Sequence, residues 1–118
     1  MHIEAFRDYC LAKKGVEETF PFDEVTLVFK VMGKMFALTG LDSDEFKVNL
    51  KCDPDRSEEL RAEYPQIRPG WHMSKKHWNT VHFEDGLDEY PLIELIDHSY
   101  DLVVKGLRKK DREILENL

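Results

Sequence analysis

Two short segments of this chain place apolar side chains at every second position, which favours β-strands that bury one face. The segment TLVFKV, residues 26–31, places Leu27, Phe29 and Val31 on the same side. The segment FKVNLK, residues 46–51, alternates in the same way, and the turn MGK joins the first segment to another apolar run, MFALTG. The pattern predicts a hairpin and a third antiparallel strand, in a sheet with one buried and one solvated face.

Helical spacing of apolar residues appears before and after these strands. Residues 2–14 carry Ile3, Phe6 and Cys10 at this spacing and end at Gly15. A short polar helix is predicted over DPDRSEELRAEYP and a longer one over PLIELIDHSYDLVVKG. Two extended segments, QIRPGWHM and WNTVHF, lie between these two helices and are joined by SKKH.

The order of these elements predicts a two-layer α+β domain. We expect a five-stranded antiparallel sheet with helices on one face, in the order α-β3-α-β2-α, followed by a basic helical tail from Leu107. A length of 118 residues with 42% hydrophobic content suits a single domain over residues 1–118. Cys10 and Cys52 match no CxxC pattern, so a structural disulfide is not expected.

Charge and hydropathy limit the environment and the partners. No apolar run approaches the roughly 20 residues that span a bilayer, and the N-terminal MHIEAFRDYC lacks the apolar stretch of a signal peptide. We therefore expect a cytoplasmic protein without a membrane segment, and we expect a monomer. The 24 acidic residues outnumber the 17 lysines and arginines, for a net charge of -7, so any contact with nucleic acid has to be local.

The stretch RPGWHMSKKHWNTVHF, residues 68–83, differs from the rest of the chain. It contains both tryptophans, three of the five histidines and three fixed positive charges, and it has no acidic residue. Lysines on a hairpin loop can reach phosphates, and an exposed indole can stack on a base. The candidate nucleic-acid contacts are three basic side chains, one indole and two imidazoles: Arg68, Lys75, Lys76, Trp71, His72 and His77.

The sequence makes different predictions for the two tryptophans. Trp78 starts an extended segment, and a large aromatic side chain there is expected to be buried, although base stacking is the alternative. Trp71 follows Pro69 and Gly70, which mark an edge or a bulge, so buried and exposed positions both remain open for its ring.

Catalysis, metal binding and cofactor binding have little support in the sequence. The spacing of His72, His77 and His82 matches no zinc pattern, and neither a cysteine nor a carboxylate lies among them. The chain has no GxSxG, no HExxH and no glycine-rich phosphate loop. We therefore expect a non-enzymatic protein without a cofactor.

Three motifs together resemble the MmcQ/YjbR family of small bacterial proteins: GKMFAL, RPGWHMSKKHWNTV and DHSYDLVVKGLRKK. The resemblance covers nearly the whole chain, and the middle motif is the most specific of the three. It implies a secretion-chaperone-like, CyaY-like α+β fold. It also implies the role proposed for the family, which is DNA binding through a "double wing" of strand hairpins.

Two functional hypotheses follow. In the first, the basic and aromatic hairpin contacts the phosphate backbone of DNA, and the basic tail KGLRKKDR extends this surface if the two segments lie close together. In the second, the chain is a protein-interaction or chaperone-like module that uses a sheet edge or the apolar strip around Trp71 and Met73. A continuous positive face would favour the first hypothesis, whereas isolated lysines around an apolar patch would favour the second.

Overall fold

In the computed structural model, which describes residues 1–118, four helices and six strands follow one another along the chain. Their bounds are α1 Ile3–Leu11, β1 Val16–Thr19, β2 Thr26–Val31, β3 Lys34–Gly40, β4 Lys47–Lys51, α2 Pro54–Glu63, β5 Ile67–Pro69, β6 Trp78–His82, α3 Glu89–Lys105 and α4 Lys109–Glu116. All strand pairs are antiparallel, and the strand order is β1-β2-β3-β4-β6-β5. The edges of the sheet are therefore β1 and β5.

The predicted α+β class and the antiparallel sheet are confirmed, but the predicted count of five strands is wrong. The additional strand is β1, and the observed order is α-β4-α-β2-α-α instead of α-β3-α-β2-α. The sequence of β1 is VEET, and glutamate is depleted in strands, so periodicity gave no signal there. Glu18 nevertheless fits because its carboxylate pairs with the Arg7 guanidinium on α1.

The helices cover one face of the sheet, as predicted. The Phe6 ring of α1 meets the rings of Phe29, Phe46 and Phe83 edge-on, with centroids 5.4, 5.6 and 5.4 Å away. Such edge-to-face aromatic packing fixes α1 on the sheet. The other helices also bury side chains against this face, including Leu60, Leu92, Ile96, Val103 and Leu115.

The opposite face of the sheet, here called the open face, carries no helix. Its small apolar cluster consists of Val28, Leu38 and Trp78, with Met35 and Met73 packed against it. Trp78 is only 9% exposed, so the predicted burial of this ring is confirmed. The ring lies among side chains of the strands and the β5–β6 loop.

A serine on α3 joins two central strands. Ser99 is fully buried, and its hydroxyl donates to the Phe36 carbonyl at 2.5 Å and accepts from the Lys51 amide at 2.9 Å. The register shifts near Phe36, because Phe29 pairs with Ala37 whereas Lys30 pairs with Met35. Phe36 is thus the extra residue of a β-bulge, and Ser99 provides its carbonyl with a partner.

A polar network connects α1 to α3. The Tyr9 hydroxyl donates to Asp97 at 2.6 Å, and the Lys13 ammonium lies 2.5 Å from the same carboxylate oxygen. The same ammonium is 5.0 Å from the ring centroids of both Tyr9 and Tyr100. Burial, followed by the hydrogen bond to Asp97, raises the pKa of Tyr9 to about 12.

This network predicts a loss of stability at alkaline pH. Because the folded chain holds the Tyr9 proton more tightly than the unfolded chain does, the stabilisation is complete below pH about 10 and is lost as the pH rises towards 12. The Tyr9→Phe variant should therefore have a flatter dependence of unfolding free energy on pH in this window. Urea denaturation between pH 8 and about 11.5 would measure it. Tyr90→Phe, at an exposed tyrosine, is the control, and an equal flattening there would contradict the assignment.

Candidate functional site

The hairpin of β5 and β6 forms one margin of the open face. Pro69 pairs with Asn79, and the Gly70 amide donates to the Trp78 carbonyl at 2.9 Å, which extends the hairpin by one residue. A Cβ atom on Gly70 would lie 2.8 Å from the Trp78 Cβ and 2.9 Å from the Trp78 carbonyl oxygen. Only glycine therefore fits here, and residues 70–73 can turn back over the open face.

Trp71 is held by its backbone while its ring remains in solvent. Its amide donates to the Thr80 hydroxyl at 2.9 Å, and its carbonyl accepts from the Asn49 side-chain amide at 3.2 Å. The Thr80 hydroxyl donates in turn to Asn49 at 2.5 Å. The indole is 69% exposed. Of the two positions that the sequence left open for this ring, buried or exposed, the exposed one is therefore correct. An exposed aromatic ring on a fixed backbone is well suited to contact a ligand with little loss of entropy.

The residue after Trp71 has an unusual backbone. His72 has φ +59°, a left-handed conformation that is uncommon for a residue other than glycine. Its imidazole meets the Trp71 indole edge-on, with ring centroids 4.7 Å apart. Both side chains are exposed at the surface of the loop.

The loop lysines are exposed, but only part of the loop is free. The Lys75 ammonium donates to the Gly70 carbonyl at 3.3 Å, and Arg61 of α2 donates to the Lys75 carbonyl at 2.6 Å. Lys76 and His77 are exposed and follow in the same turn. The loop is therefore anchored to α2 through Arg61, and its Met73 packs on the apolar cluster of the open face. All six candidate residues are exposed: Arg68, Trp71, His72, Lys75, Lys76 and His77.

The strand register adds basic residues that sequence analysis did not assign to the site. Lys47 and Lys51 alternate with buried Val48 and Leu50, and Lys30 alternates with buried Phe29 and Val31. These alternations put three lysines on the open face, and Arg68 joins them because it alternates with buried Ile67. The polar alternation in residues 46–51 was visible in the sequence, but the strand neighbours were not.

Acidic side chains are scarce among the strand residues of this face. Glu17, which pairs with Lys30 across β1 and β2, is the one strand carboxylate there, since Glu18 faces α1. The Lys47 ammonium lies 3.8 Å from Glu45 at the end of the sheet, whereas Lys30 and Lys51 have no carboxylate within ion-pairing distance. Among the strand residues of the open face, four basic side chains therefore stand against one carboxylate, in a chain of net charge -7.

A groove crosses the open face between two loops. Its volume is about 540 Å³, within the usual range for ligand sites. Phe22 of the β1–β2 loop and Trp71 of the hairpin loop line it, together with Leu38 and Met73. Asn49 and Thr80, which hold Trp71, contribute polar groups, so the groove could accommodate a planar ring with polar edges.

The second basic segment lies at the other edge of the sheet. The Lys14 ammonium donates to the Glu116 carbonyl of α4 at 2.8 Å, and Leu115 packs against Gly15, just before β1. The hairpin lies at the β5 edge, five strand positions away, or roughly 24 Å. The tail and the hairpin therefore do not form one continuous basic surface.

Histidines and cysteines give no evidence of a reactive centre. His82 Nδ1 lies 3.6 Å from Asp85 and 3.9 Å from Glu45, and His98 Nε2 accepts from the Asp53 amide at 3.1 Å. No group of three His, Cys, Asp or Glu side chains is arranged to hold a metal ion. Burial raises the pKa of the Cys10 thiol to about 12, which keeps it protonated near neutral pH.

None of the helices has the length and apolar content required to cross a membrane.

Comparison with protein families gives a match over most of the chain. The YjbR family model matches residues 11–102. The chain belongs to the YjbR family. This confirms the resemblance to the MmcQ/YjbR family inferred from the three motifs. In the fold, these motifs occupy β3, the β5–β6 hairpin and the segment from α3 into α4.

Bacterial relatives extend the match to the full length. The chain is similar to the YbdF protein of Escherichia coli O157:H7, with 42% identity over 83% of this chain and 80% of the relative. It is also similar to the YjbR protein of Escherichia coli K12, with 32% identity over the whole of both chains.

Two crystal structures support the same family fold. A Deinococcus radiodurans protein with a DUF419 domain superposes with a TM-score of 0.90 at 43% identity, covering 97% of this chain and 87% of the other. A Pseudomonas syringae protein superposes with a TM-score of 0.74 at 28% identity, covering 86% of this chain and 98% of the other.

Proposed function

We propose that this member of the YjbR family binds nucleic acid on the open face of its sheet. The observation that carries the proposal is the strand register, which collects Lys30, Lys51 and Arg68 on the face that no helix covers. The hairpin loop adds Lys75 and Lys76 beside the exposed Trp71. The role is binding without catalysis, by a monomer in the cytoplasm.

The charge distribution supports phosphate contacts more than base-specific contacts. Lysine ammonium groups on a sheet surface attract the nucleic-acid backbone but carry no sequence information. The β3–β4 loop, with Asp42 and Asp44, is acidic and would repel phosphate, so the backbone should lie nearer to the hairpin loop and Lys51. Binding should therefore be weak, salt-dependent and largely independent of sequence.

Neutralising the loop lysines tests the phosphate contacts. The Lys75→Ala/Lys76→Ala variant should bind duplex and single-stranded oligonucleotides more weakly, with the salt slope of log K lowered by about one to two units. Its melting temperature should change little, because both side chains are exposed. The matched control is Lys109→Ala/Lys110→Ala, which removes the same charge from α4 at the opposite edge. Fluorescence anisotropy at several salt concentrations measures both variants.

Replacing Trp71 tests whether its indole also contacts a base. Trp71→Ala should cost about 1–3 kcal/mol for one stacked base and leave the salt slope unchanged. A splayed base reaches the groove more easily from a single strand than from a duplex, so the loss should be larger for single strands. If wild-type protein shows no salt-dependent binding to either form at tens of micromolar, or if both lysine pairs have equal effects, nucleic-acid binding on this face is refuted.

A protein-interaction role is the second candidate, and the groove is the observation that favours it. Phe22 and Trp71 expose apolar rings on its two sides, as a peptide site would. Strand addition at β5 is disfavoured, because this edge has three residues and ends at Pro69. A peptide would therefore bind in the groove, and its binding would be weakened by Trp71→Ala but not by the change to Lys75 and Lys76.

A further inference from the structure

An apolar patch lies at the end of the sheet opposite the hairpin loop. Two loops meet there, β1–β2 over residues 20–25 and β3–β4 over residues 41–46. The Leu41 amide donates to the Val25 carbonyl at 2.7 Å, which holds the loops together. The exposed apolar side chains of these loops, here called the loop-end patch, are Phe20, Phe22, Val25 and Leu41.

The patch borders a second cavity, on the helix side of the sheet. Phe20 is 47% exposed and Leu41 is 45% exposed, and both line a hollow of about 240 Å³ with Leu27 and Ile3. Its walls are almost entirely apolar apart from Glu4 and the Arg7–Glu18 pair. An apolar side chain of a partner that rests in this hollow would bury apolar surface against Phe20, Leu27 and Leu41.

The two loops that carry the loop-end patch are acidic. The two loops carry five acidic residues and no basic residue: Asp23, Glu24, Asp42, Asp44 and Glu45. Glu45 lies 3.8 Å from Lys47 and 3.9 Å from His82, whereas the other four have no basic side chain within 4.0 Å. Exposed apolar area and unneutralised negative charge thus coincide at this end.

The β1–β2 loop holds its shape without a partner. Asp23 accepts hydrogen bonds from the Val25 amide at 2.9 Å, the Thr26 amide at 2.6 Å and the Thr26 hydroxyl at 3.0 Å. The backbone hydrogen bond from Thr26 is the main cause that lowers the pKa of Asp23. Because the loop is ordered already, a partner would not have to order it on binding.

We propose that the loop-end patch docks a basic amphipathic segment of a partner protein. One apolar side chain of that segment enters the hollow beside Phe20 and Leu41, and flanking lysines or arginines pair with Asp42, Asp44 and Glu24. The choice of a cationic partner follows from the charge of both loops, which would repel nucleic acid. Phe22 of the patch also lines the open-face groove, but the hollow beside Phe20 and Leu41 shares no residue with that groove or with the hairpin loop.

The apolar half of the proposal is tested with a labelled 14-residue peptide of leucines and lysines at helical spacing. Fluorescence anisotropy should show binding to wild type at tens of micromolar or tighter, and Phe20→Ser/Leu41→Ser should weaken it about tenfold or more. The control Tyr90→Ser removes an apolar ring that is 71% exposed on α3 and should leave affinity unchanged. A glycine–lysine peptide of equal charge should bind at least about tenfold more weakly than the leucine–lysine peptide.

Surface substitutions that leave the hollow intact test the contribution of the carboxylates to peptide binding. Asp42→Asn/Asp44→Asn should weaken peptide binding several-fold, whereas Glu58→Gln/Glu59→Gln, the same charge change on α2, should not. Absence of peptide binding, equal losses in both acidic pairs, or equal affinity for the glycine–lysine peptide overturns the proposal. Oligonucleotide binding should be unchanged in Phe20→Ser/Leu41→Ser, so this result is independent of the nucleic-acid experiments.

Discussion

Replacing Trp78 with alanine should lower the free energy of unfolding by about 3–5 kcal/mol, the usual cost of losing a buried large aromatic side chain. The ring packs on Val28 and Leu38 and is enclosed by Met35 and Met73. No helix lies on this face to collapse into the space, so the cavity should persist or fill with water. Urea denaturation followed by far-UV circular dichroism measures the change.

Trp71→Ala is the matched control, since it removes the same side chain from the same hairpin. Its indole is 69% exposed, so the loss of stability should remain below about 1 kcal/mol. A comparable loss in both variants would contradict the division into one structural and one surface tryptophan. A small loss for Trp78→Ala would show that the ring contributes little to the open-face cluster.

The second large effect is expected for Ser99→Ala, which should cost about 2–4 kcal/mol. The substitution removes one methyl-sized hydroxyl group but leaves two buried backbone groups, the Phe36 carbonyl and the Lys51 amide, without that partner. Each unsatisfied group costs roughly 1–3 kcal/mol. The loss should thus exceed that of a typical serine substitution, and urea denaturation measures it.

Hydrogen exchange of the backbone amides distinguishes the loss of the Ser99 hydrogen bonds from a general loosening of the fold. In Ser99→Ala, the Lys51 amide should exchange faster relative to the neighbouring strand amides. The control Ser74→Ala, at an exposed loop position, should change neither stability nor exchange. If Ser99→Ala costs less than about 1 kcal/mol, the bulge carbonyl has another adequate partner and the bridge is not important for stability.

Period-two alternation predicted β2 and β4 correctly because one side of each strand is buried. It failed at β1, where Glu17 and Glu18 are tolerated by an edge position and by a partner on α1, Arg7. That partner is eleven residues away from Glu18 in sequence, and no local pattern identifies it. Edge strands that depend on such contacts cannot be found from periodicity alone.

Only those features of the candidate site that depend on neighbouring residues in the sequence could be predicted. The unusual composition of residues 68–83 identified the hairpin, and the expectation of a buried Trp78 followed from its strand position. Lys30 and Lys51 were not assigned, because their proximity to the hairpin depends on the order β2-β3-β4-β6. The sequence also gave no indication that Asn49 and Thr80 hold the Trp71 backbone.

The close contact between Gly70 and Trp78 has a consequence for how this surface can change over evolution. A side chain at position 70 would displace the residue that closes the open-face cluster and, with it, the turn that carries Trp71. Stability and the placement of the exposed indole are thus inherited together at these positions. Lys76 and Arg68 are free of this constraint, so sequence drift, or a designed library, can vary the charge of this surface without loss of the folded state.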